Sequence, residues 1–207
     1  VVAGEDTSAF CLVRPPGHHA LADRAMGFCL LNNVAIAARL ATSQLGVQRV
    51  MIVDFDVHHG NGTQAIFWED AQVAYFSMHR ASFYPNTGLE SEVGTAACKG
   101  TTCNIEISLG TPRTELLERF RSELTKFSEA FRPELVIISA GFDAHRDDPL
   151  GSLGLLTEDF AVITQMIMDV ARRHAGGRVV SVLEGGYNPE ALSDCVTEHL
   201  ETLLHTK

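Results

Sequence analysis

Val50-Met51-Ile52-Val53-Asp54-Phe55-Asp56-Val57-His58-His59-Gly60-Asn61-Gly62 begins as an unbroken apolar run and then turns polar. An apolar run without alternation is the mark of a strand buried on both faces of a parallel sheet. Two carboxylates and two imidazoles follow at its end, and Gly-Asn-Gly closes the stretch. Side chains alternate along a strand, so a continued extended chain would point Asp54, Asp56 and His58 the same way. Open α/β sheets keep their sites at the carboxyl ends of their strands, which is where these groups stand. Solvated turn residues would be the bland explanation, but a buried strand ending in Asp-x-Asp-x-His-His reads better as a site.

Working outward, further apolar strands are read at Ala9 to Val13, Val73 to Met78, Asn104 to Leu109, Leu135 to Ala140 and Val179 to Leu183. Helices are expected at Val34 to Leu45 with Asn32-Asn33 as the cap, Thr63 to Trp68, Thr114 to Phe131, Thr157 to His174 and Glu190 to Leu204. Thr157 is read as the cap of its own helix. Leu116, Leu117, Phe120, Leu124 and Phe127 recur at helical spacing and are read as core. Ala81 to Cys103, rich in small and polar residues, is expected to be a long functional loop. Strands alternating with helices make this a single doubly wound α/β domain over 1–207, a mainly parallel sheet between helical layers.

Polar residues recur where these strands end. Arg14-Pro15-Pro16-Gly17-His18-His19-Ala20 stiffens a loop that carries two histidines. Gly141-Phe142-Asp143-Ala144-His145 and Glu184-Gly185-Gly186-Tyr187-Asn188 follow two later strands. Asp56, His58 and Asp143 together would offer one nitrogen and two oxygens to a divalent cation with an open position. That donor set suits catalytic zinc, with ferrous iron as a substitute. Two anionic ligands nearly neutralise such an ion, so nearby groups must help to activate water. His18, His19 and Tyr187 are available as proton acceptor and carbonyl donor. Glycines 185 and 186 would allow a close approach to the metal.

Composition bounds the rest. A formal charge of −10 with no basic stripe excludes a duplex nucleic-acid binder. No apolar run reaches membrane-spanning length. Cys11, Cys29, Cys98, Cys103 and Cys195 form no Cys-x-x-Cys pair and are expected as free thiols in an intracellular, cytoplasmic setting, nuclear if the source is eukaryotic. Cys98 and Cys103 are not expected to bridge. Asp147 and Asp148 read as solvated loop carboxylates, and His59, His79 and His145 as hydrogen-bonding structural histidines. His174, His199 and His205 carry no signal, and Cys29 reads as a small buried apolar residue.

With these segments in order, the chain resembles the zinc-dependent histone deacetylase family, which shares its fold with arginase. The carriers are Arg14–Ala20, Gly27-Phe28-Cys29, Asp54–Gly62, Ser77-Met78-His79, Gly141–His145 and Leu183–Asn188. Asn61 and Glu184-Gly-Gly-Tyr look more like the class II and bacterial deacetylase-like branch. The resemblance implies a three-layer arginase/deacetylase-like fold lacking its N-terminal part, and hydrolysis of acetyl-lysine by water that the metal activates. Acetylpolyamine hydrolysis, or a silent acyl-lysine binder, are the alternatives; a homo-oligomer is allowed.

By the same resemblance Asp56, His58 and Asp143 would hold zinc, and His19 would act as base, oriented by Asn61. His18 paired with Asp54 would be its charged partner, and Tyr187 would bind the scissile carbonyl. Phe28 and Tyr84 would sandwich the acyl-lysine stem, with Gly27, Leu150, Gly185 and Gly186 lining the channel. A structural potassium is implied at the side chains of Asp54 and Ser77 and the backbone of Asp54, Asp56, His58 and Met78.

Overall fold

A computed structural model of the protein describes residues 1–205. The apolar run of the signature stretch is strand β2 (Val50–Asp54), all five residues buried. The other strands are β1 (Ser8–Cys11), β3 (Val73–Arg80), β4 (Thr102–Ile107), β5 (Leu135–Ala140) and β6 (Val179–Leu183). They form one sheet in the order β1-β6-β5-β2-β3-β4, every pairing parallel. Parallel neighbours need crossovers, and helices supply them: α1 (Asn33–Gln44), α2 (Asn61–Phe67), α3 (Arg113–Phe131), α4 (Thr157–His174) and α5 (Pro189–His205).

Strand alternation divides the core into two layers. Val50 and Ile52 pack with Val34, Ala35, Ala38 and Ala41 of α1 and with Phe67 of α2. Met51 and Val53 face the opposite way, onto Leu116, Phe120 and Leu124 of α3 and Phe160, Ile163 and Ile167 of α4. The result is the expected α/β/α sandwich. After β2 the chain runs outward through β3 and β4, then returns to the other side of β2 for β5 and β6. The crevice at a reversal of strand order opens beyond the carboxyl ends of the strands on either side of it. Those strands are β2 and β5, which carry Asp56, His58 and Asp143 just past their ends.

Several boundaries differ from the sequence reading, each for a local reason. The first strand stops at Cys11, and Leu12 and Val13 are exposed beyond it. Strand β4 begins two residues earlier and stops at Ile107, because Thr111 bonds back to the Ser108 carbonyl and Gly110, at φ +91°, turns the chain. Helix α2 starts at Asn61, two residues before Thr63. Thr157 is the first residue of α4 and not its cap. Leu156 occupies the cap position, and the Asp159 carboxylate accepts the Leu156 N–H at 2.8 Å. Asn32 does cap α1, accepting the Ala35 N–H at 3.0 Å.

Candidate active site

Strand β2 ends at Asp54, and after a last bond from the Phe55 N–H to the Ser139 carbonyl the chain leaves the extended conformation. The three acidic and imidazole groups therefore do not share a direction. Asp54 turns to the α1 side, where its Oδ2 lies 3.0 Å from His18 Nδ1 and accepts the Tyr75 hydroxyl at 3.0 Å. Asp56 and His58 instead meet Asp143 from β5. One ligand-capable atom from each of these three residues lies within 4.8 Å of the others. Among the described residues, this is the group of acidic, His or Cys side chains with that geometry.

Backbone donors decide which oxygens remain free. Asp56 Oδ2 accepts the Gly185 N–H at 2.8 Å, and Asp143 Oδ1 accepts the Val57 N–H at 2.9 Å. Asp56 Oδ1 accepts the His58 N–H at 2.9 Å and still faces Asp143 Oδ2 and His58 Nδ1, so only the Asp143 oxygen is left without a donor. His58 Nδ1 is 3.0 Å from both oxygens, yet Asp143 Oδ2 is fully buried and receives no hydrogen bond of acceptable angle. A buried, unpartnered carboxylate oxygen is costly unless a cation or proton answers it. Glycines leave the room: a Cβ on Gly185 would sit 2.3 Å from Asp143 Oδ2, and one on Gly141 would sit 2.2 Å from Asp56 Oδ2. The donor set, the orphan oxygen and the cradle all fit a divalent cation of the zinc or ferrous type.

Without a cation a proton takes the position. Burial opposes a charge on His58, but the Asp143 and Asp56 carboxylates beside its Nδ1 outweigh it and carry its pKa up to about 10. Burial and the charge of Asp56 push Asp143 up to about 7. Phe83 stacks on the His58 ring at 5.2 Å between centroids and shields its face from water. The sequence reading passed over Phe83 in favour of its neighbour Tyr84.

The two remaining histidines stand on the proline-stiffened loop after β1, which is pinned from β6. Glu184 is fully buried; its Oε2 accepts the N–H groups of Gly17 (2.6 Å) and His18 (3.1 Å), and its Oε1 accepts the Ser139 hydroxyl at 3.0 Å. Glu184 entered the sequence reading only as part of a motif, with no task assigned. Burial alone would strip His18 of its proton, but Asp54, Asp56 and Glu184 outweigh it and hold its pKa well above the imidazole value. Burial and the charge of His18 push the adjacent His19 down to about 3, so its ring is neutral. His19 Nδ1 meets Asn61 Oδ1 at 2.8 Å, and Asn61 donates to Met26 Sδ at 3.3 Å. A neutral ring held at Nδ1 presents Nε2 as a proton acceptor.

Tyr187 lies opposite, after β6. Burial and the charges of Asp56 and Asp143 raise its phenol above the ordinary tyrosine value, so it keeps its proton. Phe28 meets its ring edge-on at 6.0 Å, and the Arg14 guanidinium lies 5.6 Å from its centre. Tyr84 stands on the histidine side, 5.1 Å from His19 and 6.1 Å from His58. Phe28, Tyr84 and Leu150 are all exposed, as residues at the mouth of a channel would be. Gly27 passes directly beneath His19, where a Cβ would lie 2.3 Å from the ring. Gly186, at φ +133°, sets the turn into Tyr187.

Asp148 corrects the sequence reading. Asp147 is exposed as expected, but Asp148 is buried and bonded to three backbone N–H groups, of Leu150, Gly151 and Tyr187. His59 bridges Thr87 and Gln64, His79 bridges Ser77 and Gly88, and both pKa values fall, to about 3 and about 4, on burial. His199 is buried between Thr164 and Ser181, a core polar network that its sequence did not announce. Ser77 and Asp54 stand on adjacent paired strands, with Met78 next along β3. All five cysteines are free.

Comparison with known proteins gives a consistent answer. The family described as "Histone deacetylase domain" matches residues 1–203. "Histone deacetylase 10, chloroplastic" of Oryza sativa subsp. japonica is 44% identical over 195 residues, covering 94% of this chain and 44% of that protein. "Histone deacetylase-like amidohydrolase" of Pseudomonas aeruginosa is 40% identical over 205 residues, covering 98% of this chain and 54% of that protein. The crystal structure of the HDA15 HD domain superposes with a TM-score of 0.93 at 43% identity, covering 100% of this chain and 58% of the other. The chain thus spans about half the length of these relatives. No helix among the described residues is long and apolar enough to cross a membrane.

Proposed function

This chain belongs to the histone deacetylase domain family, and on that premise we propose that it hydrolyses the acetyl amide of acetyl-lysine in proteins or peptides, with zinc held by Asp56, His58 and Asp143. The observation that carries the reading is the convergence of three ligand-capable atoms, one of them an unpartnered buried carboxylate oxygen, beside a neutral His19 and a protonated Tyr187. When bound there, a divalent cation would supply Lewis acidity, polarising a carbonyl and acidifying a water enough for a base as weak as His19.

His19, oriented by Asn61, accepts the proton of the attacking water and returns it to the departing lysine amine. His18 stays charged against Asp54 and Asp56, and keeps His19 from holding a proton before the reaction. Tyr187 donates its hydroxyl hydrogen to the acyl oxygen as negative charge develops. Phe28 and Tyr84 cover the methylenes of the lysine, with Gly27, Leu150, Gly185 and Gly186 around the reacting end. A potassium ion would be held by Asp54 and Ser77, paired across β2 and β3, with the backbone of Asp54, Asp56, His58 and Met78. A cytoplasmic or nuclear location suits the five free thiols, and so does any other reducing compartment.

Replacement Tyr187→Phe tests this reading. Turnover of an acetyl-lysine peptide should fall about 10²- to 10³-fold, the usual loss for one oxyanion donor, while bound zinc measured by elemental analysis stays unchanged. Unchanged turnover removes Tyr187 from its assigned task. An acetylated diamine assayed in parallel decides between lysine and polyamine substrates by the ratio of kcat/KM.

A further inference from the structure

Asp143 and Tyr187 stand on different loops, after β5 and after β6, and the reaction needs them in fixed register. In the second loop Gly185 is anchored by two bonds, its N–H to Asp56 at 2.8 Å and the Phe142 N–H to its carbonyl at 2.9 Å. Gly186 comes next, in a backbone region that only glycine visits freely, so the anchor does not carry through to Tyr187 on its own. Something beyond that glycine must hold the tyrosine.

The Asp148 carboxylate is inserted there, at 8% exposure. Its Oδ2 accepts the Tyr187 N–H at 2.7 Å, and its Oδ1 accepts the N–H groups of Leu150 (2.9 Å) and Gly151 (3.0 Å). Charged acceptors make the strongest of such bonds, and both oxygens are used. A weaker tie runs alongside, from Asn188 Nδ2 to the Asp147 carbonyl at 2.9 Å.

We infer that Asp148 is a positioning residue for catalysis: one carboxylate oxygen sets Tyr187 against the Asp143 loop while the other sets Leu150 at the channel mouth. This rests on the deacetylase reading, through the donor role given to Tyr187. A displacement of about 1 Å at a reacting group costs about 10²-fold in rate, so backbone bonds of this kind are worth far more to turnover than to folding.

The test is Asp148→Asn in the whole chain, with Asp148→Glu beside it. Asn keeps one acceptor oxygen and turns the other into a donor, so one of the two loops loses its partner. Each variant is assayed for bound zinc, melting temperature, and kcat and KM on acetyl-lysine and trifluoroacetyl-lysine peptides. The trifluoroacetyl carbonyl is already electron-poor and relies less on the tyrosine. Asp148→Asn should lower kcat about 10- to 100-fold on the acetyl substrate with zinc content unchanged. The deficit should shrink to about threefold on the trifluoroacetyl substrate, and Asp148→Glu, which keeps the charge and both acceptors, should restore part of kcat. Combined with Tyr187→Phe, the Asn change should add less than about twofold, since the two act through one group. Wild-type kcat, an equal deficit on both substrates, or a full additional loss in the Tyr187→Phe background would each overturn the inference. Should Asp148→Asn not fold, the same comparisons on Asp148→Glu decide. Full turnover by Tyr187→Phe alone would strike the parent reading instead.

Discussion

Asp54, Asp56, Asp143, Asp148 and Glu184 are all buried, and their partners decide what each can do. Asp148 and Glu184 are saturated by backbone N–H groups and a hydroxyl, which makes them braces. Asp54 is spent on His18 and Tyr75. Only Asp56 and Asp143 keep an oxygen apiece turned toward His58, and those two can answer a cation. Proton and metal then compete for the same place. With His58 at about 10 and Asp143 at about 7, binding at pH 8 must expel about one proton and at pH 6 about two. Zinc affinity should therefore climb with pH, more steeply below about 7 than above it. Calorimetry in two buffers of different ionisation enthalpy reads the protons released; none at pH 8 would contradict the ligand set.

Elements place these residues through their ends. Asn32 caps α1 with its carbonyl oxygen, and its amide nitrogen donates to the Ala20 carbonyl (3.2 Å) and to Thr63 Oγ1 (3.1 Å). One side chain thus starts a helix, closes the loop that carries His18 and His19, and touches α2 beside Asn61. Replacing it with Ala removes a cap and leaves the Ala20 carbonyl without that donor, at a cost of about 1–3 kcal/mol. The urea midpoint of Asn32→Ala should drop accordingly, and that of Asn33→Ala should drop much less. Asn33 is the first residue inside the helix and makes only a long 3.4 Å contact to the Pro15 carbonyl. Equal midpoints for the two variants would deny Asn32 this part.

For the whole molecule, burial of neutral imidazoles sets the response to acid. His19, His59, His79 and His199 have folded values of about 3 to 4, below the ordinary 6.5. The unfolded chain takes protons on these groups that the fold refuses, so stability is lost as pH falls below 6.5. Asp143 and Glu184, both raised to about 7, act oppositely and favour the fold at moderate acidity. Asp54 is raised as well, while His18 and His58, also raised, are protonated in fold and unfolded chain alike below 6.5; four histidines against three carboxyls leave a net loss. The melting temperature should thus fall between pH 6.5 and pH 5 and keep falling toward pH 4. A flat or rising profile would mean that the buried histidines are charged in the fold.

The sequence alone determined the element types and the identity of the chemistry-bearing residues, because both are written locally. An unbroken apolar run makes a buried strand, helical spacing makes an amphipathic helix, and Pro-Pro-Gly-His-His stiffens a loop whatever surrounds it. The motifs were also sufficient to recognise the family, the α/β architecture and the metal-site candidates. Tertiary structure decided which of those residues meet. Val57 bonds to Asp143 across 86 positions of chain, and only the placement of β5 beside β2 brings them together. Packing likewise committed Asp54 to His18 and Tyr75 and made Asp148 a brace instead of a solvated acid. It also gave Glu184 and Phe83 tasks that no local pattern encodes. Burial and partnership are properties of the packed chain, so the charge state and duty of a carboxylate wait on the fold.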